Sequence, residues 1–160
     1  MDFAADVARR LAERGETLAT AESLTGGLVA ATLVTIAGVS SVFRGGVVVY
    51  ATDLKARLAG VPEDLLAERG PVDPDVAVAL ARGVRERCVA DWGLATTGVA
   101  GPEPQDGKPV GLVYVAVAGP FGAQVRELKL DGNRAVIRTE SVTGVLRLLS
   151  ASLDEAPNPA

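Results

Sequence analysis

Ser23 lies in the first segment of this sequence whose residue types are typical of a chemical role. The segment reads TAESLTGG (residues 20–27) and connects an apolar strand-like run to an apolar helix-like run. A strand, a tight turn and a helix would place Ser23, Thr25 and the amides near Gly26 at a helix N-terminus, where free N–H groups attract anions. The same residue types also suit a simple helix cap. Because the pattern is not GxSxG, the spacing leaves two interpretations, a cap or a nucleophile with a phosphate cradle.

The absence of histidine limits which residue can activate Ser23. It excludes Ser-His-Asp and Cys-His catalysis and His-ligated zinc. A base must then be Lys, Asp, Glu, Tyr or a terminal amine. Lys55, in YATDLK (residues 50–55), is one of only three lysines. With an ordinary pKa near 10.4 about 0.04% of a lysine is neutral at pH 7, so this role requires burial or a helix N-terminus to lower the pKa. A solvated helix lysine is the alternative, and Tyr50 is either a hydroxyl partner of this pair or a strand-end tyrosine.

A third segment, TTGVAGP (residues 96–102), follows another strand-like run. Its glycines would let the backbone approach a ligand closely, although it is neither a P-loop nor a dinucleotide fingerprint. We expect these three segments to meet at one edge of a sheet. Arg134, at the start of the last predicted helix, is either a phosphate contact or a surface arginine. The acidic residues lack metal-ligand spacing, so we predict no metal, and no motif predicts a cofactor.

The elements that must position these residues follow from hydrophobic periodicity and capping signals. The predicted helices are 2–14, a buried helix over 26–36, short helices from Thr52 and Pro62, one capped by Asp73 with Pro74 in its first turn, and one capped by Asn133. The predicted strands are 17–22, a central strand over 46–50, 92–97, and a hairpin of 110–117 and 125–130. Alternating helices and strands followed by a hairpin indicate an α/β layered domain with a mixed sheet.

Composition limits the partners and the compartment. The 160 residues suit one domain, which we place at 1–152, with a polar tail over 153–160 that we expect to fray. A net charge of −4 without a basic stripe disfavours nucleic acid but permits a small anionic substrate. We find neither a signal peptide nor an apolar run of the roughly 18 residues that a membrane span needs. With a single cysteine there is no internal disulfide, and we expect a cytoplasmic protein.

Taken together, these segments resemble the CinA C-terminal domain family, the nicotinamide-nucleotide amidohydrolases. The resemblance implies an α/β/α layered fold, an oligomeric assembly, and hydrolysis of the carboxamide of nicotinamide mononucleotide to nicotinic acid mononucleotide and ammonia. The family also occurs fused to a nucleotide-pyrophosphatase-type domain, and we expect the stand-alone form here. The matching stretches are AESLTGG (21–27), AGVSSVFRGGVVVYATDLKARLAGV (37–61), GPVDPDVAVALARG (70–83), TTGVAGP (96–102), KPVGLVYVAV (108–117) and DGNRAVIR (131–138).

The resemblance also implies roles for individual residues. Ser23 matches the nucleophilic serine of the family and Lys55 its partner lysine, and we expect Tyr50 to be the third catalytic residue. Amides near 25–27 would stabilise the oxyanion. The residues predicted to bind substrate are Glu22, Thr25, Gly26, Gly27, Thr97, Gly98, Gly101 and Arg134.

Three segments depart from the family pattern. Leu24 stands where a cysteine is usual, Ala51 and Thr52 stand where Ser-Asn is usual, and residues 71–73 read PVD instead of AVS. If position 73 contacts the substrate phosphate, the carboxylate of Asp73 would repel it. Two alternatives to the main hypothesis therefore stay open, a nucleotide-binding module without turnover and an amidase for another small amide.

Overall fold

Five strands form one mixed sheet in the order β2-β1-β3-β4-β5, in a computed structural model that describes residues 1–159. β1 pairs in parallel with both β2 and β3, whereas β4 is antiparallel to β3 and β5. The three parallel strands therefore end at the same edge of the sheet. The strands are β1 (Leu18–Glu22), β2 (Phe43–Val48), β3 (Trp92–Gly98), β4 (Leu112–Gly119) and β5 (Gly122–Lys129).

Helices cover both faces of this sheet. On one side lie α1 (Phe3–Arg14), α2 (Leu28–Leu33) and α6 (Arg134–Glu155), and on the other lie α3 (Thr52–Ala59), α4 (Glu63–Arg69) and α5 (Pro74–Arg87). Each side has its own apolar core, as expected when a sheet is buried on both faces. This arrangement confirms the predicted α/β fold with a mixed sheet between helical layers.

Helix ends marked by local sequence signals lie where the sequence predicts them. Asp73 caps α5 with Pro74 in its first turn, and Asn133 caps α6 by accepting a hydrogen bond from Val136 N. The C-cap residue of α1 is Gly15, which has a φ of 67°. These signals depend on neighbours within four residues, so they can be recognised without knowledge of the tertiary structure.

Two elements differ from the sequence prediction. The run predicted as a central strand forms β2, which pairs only with β1 and lies at the sheet edge. The helix predicted over 26–36 is limited to Leu28–Leu33. Its start is delayed because Gly26 and Gly27 have φ values of 58° and 102°, which are incompatible with a right-handed helix. It is not buried all round, since the side chain of Val34, at its C-cap, is 58% exposed.

The last helix is longer than predicted. The first three residues of the proposed frayed tail, 153–155, form the final turn of α6, and Leu153 is buried in the core. Ala160 lies outside the described residues. Among residues 1–159, no helix combines the length and the apolar character needed to cross a bilayer.

Candidate active site

The three predicted segments converge on one cavity of about 270 Å³. Each follows one of the parallel strands β1, β2 and β3, whose carboxyl ends meet at this edge of the sheet. Ligands of α/β proteins commonly bind at such an edge. The residues that line the cavity are Ser23, Leu24, Tyr50, Thr52, Lys55, Pro71, Val72, Thr97, Gly98, Val99, Ala100, Gly101, Pro102, Glu103, Pro104, Gln105 and Arg134.

Ser23 and Lys55 are in direct contact inside this cavity. The Nζ atom of Lys55 lies 3.0 Å from Oγ of Ser23. Its other acceptors are neutral, the carbonyl oxygen of Val49 at 2.7 Å and that of Tyr50 at 3.4 Å. Lys55 comes from the first turn of α3, and only 1% of it is exposed. The arrangement places an amine within proton-transfer distance of a hydroxyl.

Burial changes the acidity of this amine. It lowers the pKa of Lys55 from 10.5 to about 8, because the low-dielectric interior disfavours the ammonium form. At that pKa about 10% of the lysine is neutral at pH 7, several hundred times more than for an unperturbed lysine. Lys55 can therefore accept a proton near physiological pH. Neutral Nζ then accepts a hydrogen bond from the Ser23 hydroxyl.

The turn after β1 holds Ser23 in place without using it as a helix cap. The amide of Ser23 donates to Thr96 O at 3.0 Å, and its carbonyl accepts from the amide of Gly26 at 3.0 Å. The N-cap residue of α2 is Gly27, which provides no side-chain cap. Of the two interpretations of this segment, the cap is thus wrong for Ser23, whose hydroxyl faces Lys55 instead.

Glu22 takes over the capping function for α2. Its carboxylate, 2% exposed, accepts hydrogen bonds from the amides of Val29 at 2.8 Å and Ala30 at 3.0 Å. A carboxylate bound to amides in the first turn of a helix is stabilised by the helix dipole. Glu22 therefore connects β1 to α2 behind the turn. Although it was predicted to bind substrate, it does not line the cavity.

Four of the residues predicted to bind substrate are absent from the cavity lining, namely Glu22, Thr25, Gly26 and Gly27. The hydroxyl of Thr25 lies 2.8 Å from that of Thr96 in the interior. These four residues belong to the turn between β1 and α2 or lie directly beside it. The other four predicted residues, Thr97, Gly98, Gly101 and Arg134, do line the cavity.

The oxyanion donors were predicted among the amides near 25–27. The amide of Gly26 is already bonded to Ser23 O, and Thr25 has no exposed surface. Leu24 lines the cavity, and within residues 1–159 its N–H group has no hydrogen-bond acceptor. The amide next to Ser23 is therefore a free donor of a cavity-lining residue, and it was missed because Leu24 was considered only for its side chain.

Tyr50 and Arg134 form a pair at the rim of the cavity. The Nη2 atom of Arg134 donates to the Tyr50 hydroxyl at 2.8 Å, and its Nη1 donates to the carbonyl of Gly101. The Tyr50 side chain is 58% exposed. Only the backbone carbonyl of Tyr50 contacts Lys55, so the hydroxyl is not part of the Ser23–Lys55 pair.

Arg138 is a second arginine near this site that the sequence analysis did not single out. It follows Arg134 by one helical turn on α6 and donates two hydrogen bonds to the turn that carries Ser23. The four-residue spacing places both side chains on the same helix face, and this spacing was the available signal.

The positions that depart from the family pattern differ in their relation to the cavity. Ala51 and Asp73 do not line it, whereas Leu24, Thr52 and Pro71 do. Asp73 instead caps α5 through Oδ1, which accepts from Asp75 N at 2.8 Å and Val76 N at 3.2 Å.

The sequence and the fold match those of known proteins. The family model described as CinA C-terminal domain matches residues 1–153. The chain belongs to the CinA C-terminal domain family. A CinA-like protein of Frankia casuarinae is 51% identical over 148 residues, which are 92% of this chain and 34% of that protein. A putative competence-damage inducible protein of Desulforamulus reducens is 46% identical over 142 residues, 89% of this chain and 34% of that protein.

This family member spans about one third of the length of those curated relatives. Solved structures are matched over nearly their whole length. A CinA superfamily protein of Klebsiella pneumoniae has a TM-score of 0.92 at 29% identity, with 96% of this chain and 97% of that chain covered. The competence/damage inducible protein CihA of Agrobacterium tumefaciens has a TM-score of 0.86 at 36% identity, with 96% of each chain covered.

Proposed function

We propose that this protein hydrolyses the carboxamide of nicotinamide mononucleotide, giving nicotinic acid mononucleotide and ammonia. The observation that carries the proposal is the contact between Ser23 and a buried lysine whose pKa is lowered to about 8. A serine activated by a neutral lysine can attack an amide without histidine. Family membership and the resemblance of the cavity segments support the choice of substrate.

The reaction proceeds through two acyl transfers. Oγ of Ser23 forms a bond to the amide carbonyl carbon while its proton passes to Nζ of Lys55. The carbon–nitrogen bond then breaks, and Lys55 returns the proton to the departing ammonia. Water attacks the resulting ester, again losing its proton to Lys55, and Ser23 leaves with that proton. The N–H of Leu24 is the donor we assign to the oxyanion in both steps.

The cavity rim supports an ionic substrate. Arg134 supplies a cation for the phosphate, and Glu103, also in the lining, supplies a carboxylate for the positively charged pyridinium ring. The carboxylate of Asp73 caps α5, and the residue does not line the cavity. The phosphate repulsion that the sequence suggested is therefore not supported by its position. The two departures that favour a binding module, Ala51 and Asp73, both lie outside the lining, which supports the enzyme over the module.

The test is ammonia release from nicotinamide mononucleotide by purified wild type, Ser23→Ala and Lys55→Ala. We expect turnover by wild type and a loss of at least about a thousandfold in both variants, since each removes a group that acts in the transition state. Ser40→Ala and Lys129→Ala, at exposed positions away from the cavity, are matched controls that should retain wild-type rates.

Other outcomes would contradict the proposal in distinct ways. Wild type that gains thermal stability with the mononucleotide but releases no ammonia would be a binding module. Wild type that ignores the mononucleotide and hydrolyses another small amide, with the same loss in both variants, would keep the mechanism and change the substrate.

A further inference from the structure

Arg138 connects α6 to the turn that carries Ser23. Its Nε donates to the carbonyl of Leu24 at 2.9 Å, and its Nη2 donates to the carbonyl of Thr25 at 2.9 Å. Leu24 and Thr25 are the two central residues of the turn that Gly26 N closes onto Ser23 O. One planar guanidinium therefore holds both central carbonyls, and its rigid fork fixes their directions more strictly than the rotatable ammonium of a flexible lysine would.

Holding these carbonyls also fixes the neighbouring amides. In a trans peptide the C=O and N–H bonds point in opposite directions, so an anchored carbonyl sets the direction of the N–H in the same plane. The Ser23 carbonyl is anchored by Gly26, which sets the N–H of Leu24. Rotation of the next two peptides would disturb that plane. Arg138 restrains the first by binding the Leu24 oxygen, and it restrains the second together with the amide of Leu28, which donates to the Thr25 oxygen at 2.9 Å.

We propose that Arg138 is a positioning residue that locks the Ser23 turn so that the N–H of Leu24 meets the oxyanion formed during acyl transfer. The inference rests on the proposed function for the reaction in which the oxyanion forms. Arg138 does not line the cavity, so it acts through the turn and not on the substrate. A preorganised donor is effective because it needs no rearrangement when charge develops.

Steady-state kinetics separate this role from substrate binding. Arg138→Gln should lower kcat about tenfold to a hundredfold and change KM less than about threefold, because the donor acts mainly in the transition state. Arg138→Lys keeps the charge but replaces the planar fork with an ammonium on a flexible chain, which should hold the two carbonyls less rigidly and recover only part of the loss. Guanidinium ion added to Arg138→Gln should restore activity more than methylammonium does. Arg147→Gln, on an exposed part of the same helix beside Phe3, is the matched control and should retain kcat.

A covalent probe tests the same turn without nicotinamide mononucleotide. In an alkyl fluorophosphonate, Oγ of Ser23 forms the P–O bond, fluoride leaves, and the serine proton passes to Lys55. The phosphoryl oxygen occupies the oxyanion position. Labelling of Ser23, followed by mass spectrometry with exposed Ser40 as internal reference, should slow about tenfold or more in Arg138→Gln. If wild type failed to release ammonia but was labelled at Ser23, the proposed substrate would be wrong and this inference would still be tested.

Several results would overturn the inference. Arg138→Gln with wild-type kcat and wild-type labelling would show that the turn does not need the clamp. A raised KM at constant kcat would show that Arg138 binds substrate. Loss of kcat that follows the unfolded fraction, measured by circular dichroism, would reduce Arg138 to a stability contact. Wild type in which Ser23 reacts no faster than Ser40 would show that the turn holds no activated serine.

Discussion

Lys55 contacts Ser23 as a buried cation without a counter-ion. Nζ lies 3.0 Å from Oγ of Ser23, its other acceptors are two neutral carbonyls, and no carboxylate contributes to its pKa. Dipoles alone do not compensate for the loss of water around an ammonium group. The result is a lysine that loses its proton near pH 8. Both the proposed reaction and the stability of the fold depend on this property.

The first prediction concerns the pH dependence of ammonia release. Lys55 must be neutral to accept the serine proton, so kcat/KM should rise with pH through an apparent pKa of about 8 and become level above it. This rise is expected in kcat/KM because that constant reports the pKa values of the protein without bound substrate. Initial rates at low substrate concentration, in buffers of constant ionic strength, measure it. A limb near the ordinary lysine pKa, or a flat profile, would contradict the prediction.

The second prediction concerns the free energy of unfolding. Lys55 has a pKa of about 8 in the folded state and 10.5 as the reference for the unfolded chain. Between these values the unfolded state binds more protons, so stability rises with pH, by about 3 kcal/mol in total. Below pH 8 the protein is charged at this position in both states, and the full cost of burying the ammonium group is present.

The Lys55→Met variant isolates the contribution of Lys55 ionisation to the free energy of unfolding, since methionine is also long and unbranched but cannot titrate. The variant leaves the carbonyls of Val49 and Tyr50 without this donor, which costs about 1–3 kcal/mol and offsets the gain at neutral pH. The sign of the difference at pH 7 is therefore not diagnostic, but its pH dependence is. Urea unfolding from pH 7 to 10.5 should show wild type gaining about 3 kcal/mol relative to Lys55→Met. Parallel curves would contradict the lowered pKa.

The features that sequence predicts well are those determined by near neighbours. Asp73 and Asn133 cap their helices as expected, and Ser23 and Lys55 both lie at the predicted sheet edge. The edge position of β2 was missed because a continuous β-branched run is typical of central strands. Pairing partners are set by the whole sheet and leave no mark in the run itself.

Several contacts of the site join residues that are far apart in the sequence, and local patterns could not predict them. Arg138 is 114 residues from the Leu24 carbonyl that it binds. Glu22 was expected to bind substrate, yet alternation along β1 directs its side chain to α2. Glu22 and Arg138 reach the turn and its flanking helix only because α2 and α6 pack on this face of the sheet.

The third prediction is that Tyr50→Phe leaves the chemical step intact. The hydroxyl is bonded to Arg134 at the exposed rim and not to Ser23 or Lys55. Losing one rim hydrogen bond weakens binding by about 0.5–1.5 kcal/mol, so KM should rise less than about twelvefold with kcat nearly unchanged. Steady-state kinetics with nicotinamide mononucleotide measure both constants. A fall in kcat of a hundredfold or more would instead assign the hydroxyl a catalytic role, as expected from the resemblance.

The fourth prediction separates the two roles considered for Asp73. As the cap of α5, it accepts two amide hydrogen bonds that alanine cannot replace and serine can. Asp73→Ala should therefore lower the free energy of unfolding by about 1 kcal/mol, and Asp73→Ser should change it by only a few tenths. Chemical denaturation of the two variants and wild type gives these differences.

The same variants test whether the carboxylate of Asp73 influences the substrate. It lies outside the cavity lining, and its Oδ2 is 3.5 Å from Nη1 of Arg69, which offsets its charge. KM for nicotinamide mononucleotide should therefore be the same within about twofold in wild type, Asp73→Ser and Asp73→Ala, because the carboxylate is engaged by Arg69 and by the amides of α5. A tenfold lower KM in both variants would mean that the carboxylate repels the phosphate, and that the bound substrate reaches the N-terminus of α5.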